Sequence, residues 1–143
     1  MLSKSSKYAL KAVLFLAINS NEEKKVMVKN IAKPINVPQA YIAKLLQSLS
    51  KQNIISSAKG PNGGFYLNDI NKKQSVLDII YAIDGEHRLN SCLLSLENCN
   101  AENPCPLHEL ANSSRSGLIH SFKNQTIKDL SLEIISGKSV LPL

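Results

Sequence analysis

A glycine-rich turn between two short apolar runs constrains the fold of this 143-residue chain most strongly. The turn, residues 59–64, contains three glycines, a proline and an asparagine. The flanking runs, residues 54–58 and 65–68, have the composition of β-strands, and such a turn between them is typical of a hairpin. The segment is therefore predicted to be a β-hairpin, and its small tip can approach another molecule closely.

Three helices are predicted before this hairpin. The first covers residues 3–19, where apolar residues recur at helical spacing. A short second helix covers residues 28–33, and Pro34 is expected to end or distort it. Pro38 suits the first turn of a third helix, in which a missing N–H is not needed. The buried stripe of that helix is predicted to be Ile42, Leu45, Leu46 and Leu49.

The sequence after the hairpin predicts one helix, an irregular segment and two further helices. Ser75 opens the first of these helices with Asp78 as a capping-box partner, and Gly85 lies just past its end. Residues 86–103 have no regular period and hold two of the three cysteines. The predicted bounds of the last two helices are Pro104 or Pro106 to Asn124 and Thr126 to Gly137, and Thr126 is expected to cap the last helix with Asp129 three residues on.

The positive charge of the chain is confined to its first half. The net charge is +6, but residues 1–66 carry ten lysines against two glutamates, while residues 67–90 and 91–143 are each at −1. A solvated surface can have this composition, and so can a phosphate-binding one. The order helix, short helix, turn, helix and hairpin is that of a winged helix-turn-helix, whose second helix enters the major groove. DNA binding is therefore predicted.

The lack of a signal-peptide or membrane-spanning pattern, together with the cysteine content, predicts a cytoplasmic protein with no membrane partner. No run approaches the roughly 20 apolar residues that span a bilayer. The first helix is interrupted too early for a signal peptide. Three cysteines do not pair evenly, so a secreted disulfide scaffold is disfavoured and reduced thiols are expected.

The chain resembles the Rrf-two family of winged-helix transcription regulators over nearly its whole length. Residues 59–67 are the most specific part of the match. The other residues that carry it are Leu2, Ser3, Lys4, Tyr8, Ala9, Leu10, Ile31, Ala32, Tyr41, Leu45, Leu49 and residues 55–58. Two departures are Lys59, where members often have Arg with its planar fork, and Pro34, where members usually continue a helix.

The resemblance implies a mainly α fold with a small β-hairpin. Residues 1–85 would form the winged helix-turn-helix domain, residues 86–105 a cysteine-bearing sensing loop, and residues 106–143 a long dimerisation helix and a C-terminal helix. The homodimer would pair through the 106–124 helix and bind a double-stranded, palindromic DNA operator. The implied DNA-binding residues are Gln39, Ala40, Tyr41, Lys44, Lys59, Gly60 and Gly63.

The cysteines resemble the sensing loop of this family, in which three cysteines hold an iron–sulfur cluster. Cys92, Cys99 and Cys105 are spaced C-x6-C-x5-C, and His108 follows three residues later. Thiolates are soft ligands that suit iron and sulfide. The spacing is closest to IscR-like members, which implies a 2Fe–2S cluster on these four residues, with 4Fe–4S as the other cluster type. NsrR-like members can use an acidic ligand where this chain has Lys7, which cannot serve.

The sequence leaves other interpretations of the cysteines open. Zinc accepts three cysteines and one histidine, although structural zinc sites usually use C-x2-C pairs. A metal-free, thiol-redox-responsive winged-helix regulator is the second functional class. An enzyme with a Cys–His pair is disfavoured, because nothing supplies an orienting third group or an oxyanion hole. The leading hypothesis is a transcription repressor whose operator binding is switched by an iron–sulfur cluster that senses cluster status, oxygen or nitric oxide.

Overall fold

The computed structural model describes residues 2–97 and 99–143 and is mainly helical with one hairpin. The fold class predicted from the sequence is thus confirmed. The elements in chain order are α1 (Lys4–Asn19), α2 (Val28–Ile35), α3 (Gln39–Lys51), β1 (Ser56–Ala58), β2 (Gly64–Tyr66), α4 (Asp69–Lys72), α5 (Val76–Asp84), α6 (Glu86–Asn90), α7 (His108–Asn124) and α8 (Ile127–Ile135).

The main hydrophobic core joins the first three helices to the hairpin. Helices α2 and α3 pack against α1 and against each other. The predicted stripe of α3 faces this core, since Ile42, Leu46 and Leu49 are fully buried and Leu45 is half-buried. Burial of that stripe leaves the opposite face of α3 in solvent.

The hairpin is shorter than predicted because its ends bond elsewhere. Strands β1 and β2 are antiparallel and pair from Ser56 with Tyr66 to Ala58 with Gly64. The N–H of Ile54 donates to the Leu49 carbonyl at the end of α3, at 3.0 Å, so it does not join the strand ladder. Beyond β2, the N–H of Leu67 donates to Ser20 Oγ at 3.1 Å.

The prediction that α2 ends before Pro34 is wrong. The helix continues through Pro34 to Ile35 and ends at Asn36, which adopts a left-handed conformation with φ of 60°. Pro34 is the penultimate residue of the helix, so its missing N–H removes a single hydrogen bond from the last turn. The N–H of Asn36 instead bonds the Ala32 and Lys33 carbonyls, which closes the helix.

The second half contains two capped helices and a long helix with little burial. Ser75 caps α5 and Thr126 caps α8 through reciprocal capping boxes, as predicted. Helix α7 begins at His108 rather than at a proline, because residues 105–107 form a turn closed by the His108 N–H and the Cys105 carbonyl. Helices α4 and α6 are short and were not expected from the sequence. None of the residues of α7 is buried.

Candidate functional sites

The first exposed surface combines the start of α3 with the hairpin tip. Gln39, Ala40 and Lys44 are exposed along one side of α3, and Lys59 and Gly60 are exposed at the tip. A groove of about 300 Å³ separates the two elements. Its lining residues are Met27, Val28, Lys29, Gln39, Ala58, Gly60, Gly63 and Gly64. The structure thus brings Gln39, Gly60 and Gly63 together. A surface that contacts DNA through both α3 and the hairpin requires this proximity.

The shape of the hairpin tip depends on its glycines. Gly60 has a φ of 101°, a conformation that side chains disfavour. A Cβ on Gly63 would collide with the carbonyl oxygen of Ala58. The tip is therefore narrow, and the exposed Lys59 ammonium beside it can reach a phosphate.

Tyr41 lies apart from this groove, at the junction of α3 and α1. Its hydroxyl hydrogen-bonds Ser5 Oγ at 2.8 Å, and its ring meets Tyr8 edge-on with centroids 5.9 Å apart. Lys4, Tyr8 and Tyr41 help to line a neighbouring cavity of about 390 Å³. Tyr41 therefore positions α3 on α1 through its hydroxyl and ring.

Sequence reasoning missed Lys29 and Met27 as neighbours of the predicted DNA-binding residues. Both line the groove between α3 and the hairpin, and both are exposed. Lys29 counted toward the basic first half, but the sequence did not indicate which lysines share a face with the hairpin. The isolated bridge between Val26 and Phe65 sets that proximity, because it pairs the chain before α2 with β2.

The three cysteines converge after α6 and before α7. All three sulfur atoms lie within 4.8 Å of one another. Cys92 Sγ is 3.5 Å from Cys105 Sγ. Cys99 Sγ accepts a hydrogen bond from the Cys105 N–H at 3.4 Å and lies 3.3 Å from His108 Nδ1. The structure therefore brings the three cysteines together and places His108 next to one of them, Cys99.

His108 is oriented by a neighbour one turn along α7. Its Nε2 lies 3.0 Å from the Asn112 side-chain amide, which leaves Nδ1 facing Cys99. An imidazole that offers a lone pair at Nδ1 carries its proton at Nε2, and the Asn112 amide oxygen can accept that proton after a flip of the amide. Sequence reasoning missed this contact of Asn112 with His108, for which the i+4 spacing was the available signal.

The thiols differ in acidity. The N–H of Leu96 hydrogen-bonds the Cys92 sulfur and, against the opposing effect of burial, lowers the pKa of Cys92 to about 7. At Cys99, the N–H of Cys105 lowers the pKa, but burial and the neighbouring thiols outweigh it and raise the pKa above its usual value. A soft cation needs thiolate ligands, and Cys92 is the thiol most readily ionised of these two.

Two arginines, the only ones in the sequence, flank the cysteine segment. Arg115 of α7 donates to the Ser91 carbonyl at 2.9 Å and so holds the residue before Cys92. Arg88 of α6 lies 4.0 Å from Asp84, and both arginines line a cavity of about 330 Å³ beside Cys92. Asp84 accepts hydrogen bonds from the backbone and hydroxyl of Ser3, which connects α5 to the start of α1.

The chemistry of this donor set fits an iron–sulfur cluster. The three thiols are convergent and an imidazole nitrogen lies beside one of them, and thiolate with imidazole ligation is known for 2Fe–2S centres. Cys92, Cys99, Cys105 and His108 are the residues that would hold the cluster. The same donors also satisfy zinc, so the donor set alone does not choose between the two.

The winged helix-turn-helix and its basic, glycine-tipped surface define the class of protein as a DNA-binding transcription regulator. The chain belongs to the Rrf2 family, described as iron-dependent transcriptional regulators, whose sequence profile matches residues 2–133. Because members of this family are transcription regulators, the chain is a regulator and not an enzyme.

Individual relatives and solved structures agree with this assignment. The chain is 36% identical to an HTH-type transcriptional regulator of Aquifex aeolicus, over 91% of this chain and 90% of the relative. It is 28% identical to IscR of Pectobacterium carotovorum, over 98% and 82%. It is 26% identical to the repressor NsrR of Streptomyces coelicolor, over 74% and 67%.

Two solved structures share the fold. One is CymR, the global cysteine regulator of B. subtilis, with a TM-score of 0.74, 23% identity and coverage of 92% of this chain and 96% of that one. The other is IscR of T. potens, with a TM-score of 0.73, 20% identity and coverage of 98% and 92%. In the part of the chain that the structure describes, no helix is both long and apolar enough to cross a bilayer.

Proposed function

We propose that this protein is an iron–sulfur-dependent transcription repressor with Cys92, Cys99, Cys105 and His108 as cluster ligands. The observation that carries the proposal is the convergence of three sulfur atoms within 4.8 Å, with the His108 Nδ1 atom 3.3 Å from one of them. The family description as iron-dependent and the similarity to IscR and NsrR support iron over zinc. A 2Fe–2S cluster suits one imidazole among three thiolates.

The cluster, when bound, would supply one-electron redox chemistry and a target for oxygen or nitric oxide. The protein contributes the positions of its ligands. Arg115 holds the chain at Ser91, next to Cys92, and Asn112 orients His108. Since the ligands come from both the loop and the start of α7, a change at the cluster would act on the position of α7.

DNA binding by a homodimer completes the proposal. Helix α7 has no buried residue, and Leu110 on it is 69% exposed. A helix that buries no residue and exposes a leucine is what a second copy of the chain would cover through its own α7. The two copies would present α3 and the hairpin to the two half-sites of a palindromic, double-stranded operator through Gln39, Ala40, Lys44, Lys59, Gly60 and Gly63.

Anaerobic purification followed by absorption spectroscopy and iron and sulfide assays tests the cluster. We expect a coloured protein with sulfide-to-iron charge-transfer bands. The variant His108→Ala should shift or bleach those bands. His120→Ala is the matched control, because His120 lies on the same helix, contacts Asn124 in the same i, i+4 manner, and is exposed away from the cysteines. A colourless protein that contains only zinc would refute the proposal.

A metal-free thiol regulator is the second candidate function. The contact between Cys92 and Cys105 at 3.5 Å favours it, because two thiols at this distance can be joined by oxidation. It predicts that the oxidant dependence of operator binding persists in protein freed of metal. If metal-free protein binds the operator equally with and without oxidant, this candidate is excluded.

A further inference from the structure

The pairing of the four donor residues is unequal in the structure. Cys92 Sγ contacts Cys105 Sγ, whereas Cys99 Sγ contacts His108 Nδ1 and the backbone N–H of Cys105. All three sulfur atoms lie within 4.8 Å of one another, but Cys99 has two polar partners, whereas the sulfur atoms of Cys92 and Cys105 contact each other at 3.5 Å. A disulfide requires about 2.05 Å between sulfur atoms, so these two sulfur atoms must move closer for the bond to form.

We propose that the cluster-free protein has a specific oxidation site, the Cys92–Cys105 pair, which closes to a disulfide and leaves Cys99 as a free thiol beside His108. The inference does not depend on the identity of the cluster, since it concerns protein without it. A bond between these two residues would connect the chain just after α6 to the chain just before α7. It would also remove two of the four donors and so block loading of a metal or cluster.

A peroxide is the oxidant class that completes the reaction. The Cys92 thiolate attacks one peroxide oxygen, so that an S–O bond forms, the O–O bond breaks and hydroxide leaves. The Cys105 sulfur then attacks the Cys92 sulfenic sulfur, so that the S–S bond forms and water leaves. Two thiols are oxidised by two electrons in total, and one hydrogen peroxide is reduced to two waters.

The positions of the arginines and glutamates allow the disulfide pairing to be determined by proteolysis. No lysine or arginine lies between Arg88 and Arg115, so trypsin leaves all three cysteines in one peptide. Cleavage after glutamate separates them, because Glu97 and Glu102 lie between successive cysteines. Metal-free protein is treated with one equivalent of hydrogen peroxide, alkylated, digested after glutamate and analysed by mass spectrometry.

The expected product is a peptide pair linked through Cys92 and Cys105, with Cys99 alkylated. Cys99→Ser should give the same linked pair, whereas Cys105→Ser should lose it. Oxidised protein should bind no added iron and sulfide until a thiol reductant is supplied. A dominant disulfide through Cys99, or linkage mainly between chains, would overturn the inference. Neither outcome bears on whether anaerobically purified protein carries a cluster, so the two proposals fail separately.

Discussion

The basic first half and the cysteine-bearing second half of this chain are built in opposite ways. In the first half, α1, α2 and α3 enclose fully buried residues such as Leu16, Ile31 and Leu46, and the basic and glycine residues remain outside. In the second half, α7 buries none of its residues, and Leu93, Leu94 and Leu110 are exposed. The first half therefore closes its core within one chain, whereas the second half leaves these three leucines exposed.

The largest test of this contrast compares a leucine from each half. Leu46→Ala, at a fully buried position of α3, should lower the free energy of unfolding by about 2–5 kcal/mol through lost burial and a cavity. Leu110→Ala, at a position that is 69% exposed, should change the free energy of unfolding of the monomer by at most about 0.5 kcal/mol. Chemical denaturation at low protein concentration measures both.

The same two variants separate folding from pairing when the concentration is raised. If α7 forms the dimer interface, Leu110→Ala should weaken self-association in sedimentation analysis, while wild-type stability should rise with protein concentration. Equal self-association of the wild type and Leu110→Ala would argue against pairing through this face of α7.

A second test compares two equivalent histidine–asparagine pairs on α7. The pair formed by His108 and Asn112 faces the cysteines. His120 and Asn124 make the same kind of contact nearer the C-terminal end of α7. Asn112→Ala should weaken metal or cluster retention by about 10–100-fold, because an oriented ligand loses its hydrogen-bonded support. Asn124→Ala should leave retention unchanged. Iron release to a chelator under anaerobic conditions measures the effect, and equal release from both variants would remove the orienting role of Asn112.

The fold was largely predictable because each local signal agreed with its neighbours. The α3 stripe, the capping residues Ser75 and Thr126, and the glycine turn all act within a few residues of chain. The errors arose where contacts between residues distant in sequence determine the bounds of a helix or strand. Ile54 is apolar and strand-like, but its N–H bonds the end of α3, and Pro34 is accommodated because α2 ends one residue later.

The candidate sites were predictable in residue type but only partly in arrangement. The cysteine spacing and His108 pointed to one site through family resemblance, and the structure brings the three cysteines together with His108 beside Cys99. The supporting contacts of Asn112 and Arg115 depend on which face of α7 meets the cysteine segment. The i+4 spacing from His108 could have indicated Asn112, but the face of α7 is set by long-range packing, in which Ile119 and Phe122 lie half-buried against residues of α5.

A third test concerns Asp84, which lies where the two halves meet. Burial alone would raise its pKa, but hydrogen bonds from Ser3 and the charge of Arg88 outweigh this, so the pKa of Asp84 lies below its usual 3.8. The ionised carboxylate therefore stabilises the fold above pH 3.8, and this stabilisation is lost as the pH falls through the lower folded-state pKa.

Asp84→Asn should accordingly lower the free energy of unfolding by about 1 kcal/mol near pH 6. The difference from wild type should shrink below about pH 4, where the carboxyl becomes protonated. Ser3→Ala removes the partner hydroxyl, so the double variant should lose less than the sum of the two single variants. Additive losses would show that Asp84 acts through some other contact.

The smallest expected effect concerns single phosphate contacts on the surface formed by α3 and the hairpin. Lys44→Ala on α3 and Lys59→Ala at the hairpin tip should each reduce the slope of log affinity against log salt by about one. Over a fourfold increase in salt concentration, a variant that lacks one phosphate contact should lose only about threefold less affinity than the wild type. The full salt titration is therefore needed to measure the slope. Lys138→Ala is the control, because Lys138 is an exposed lysine of the near-neutral half, next to Glu133. If Lys138→Ala lowers the slope as much as the other two, the charge of the whole chain, rather than the surface formed by α3 and the hairpin, governs binding.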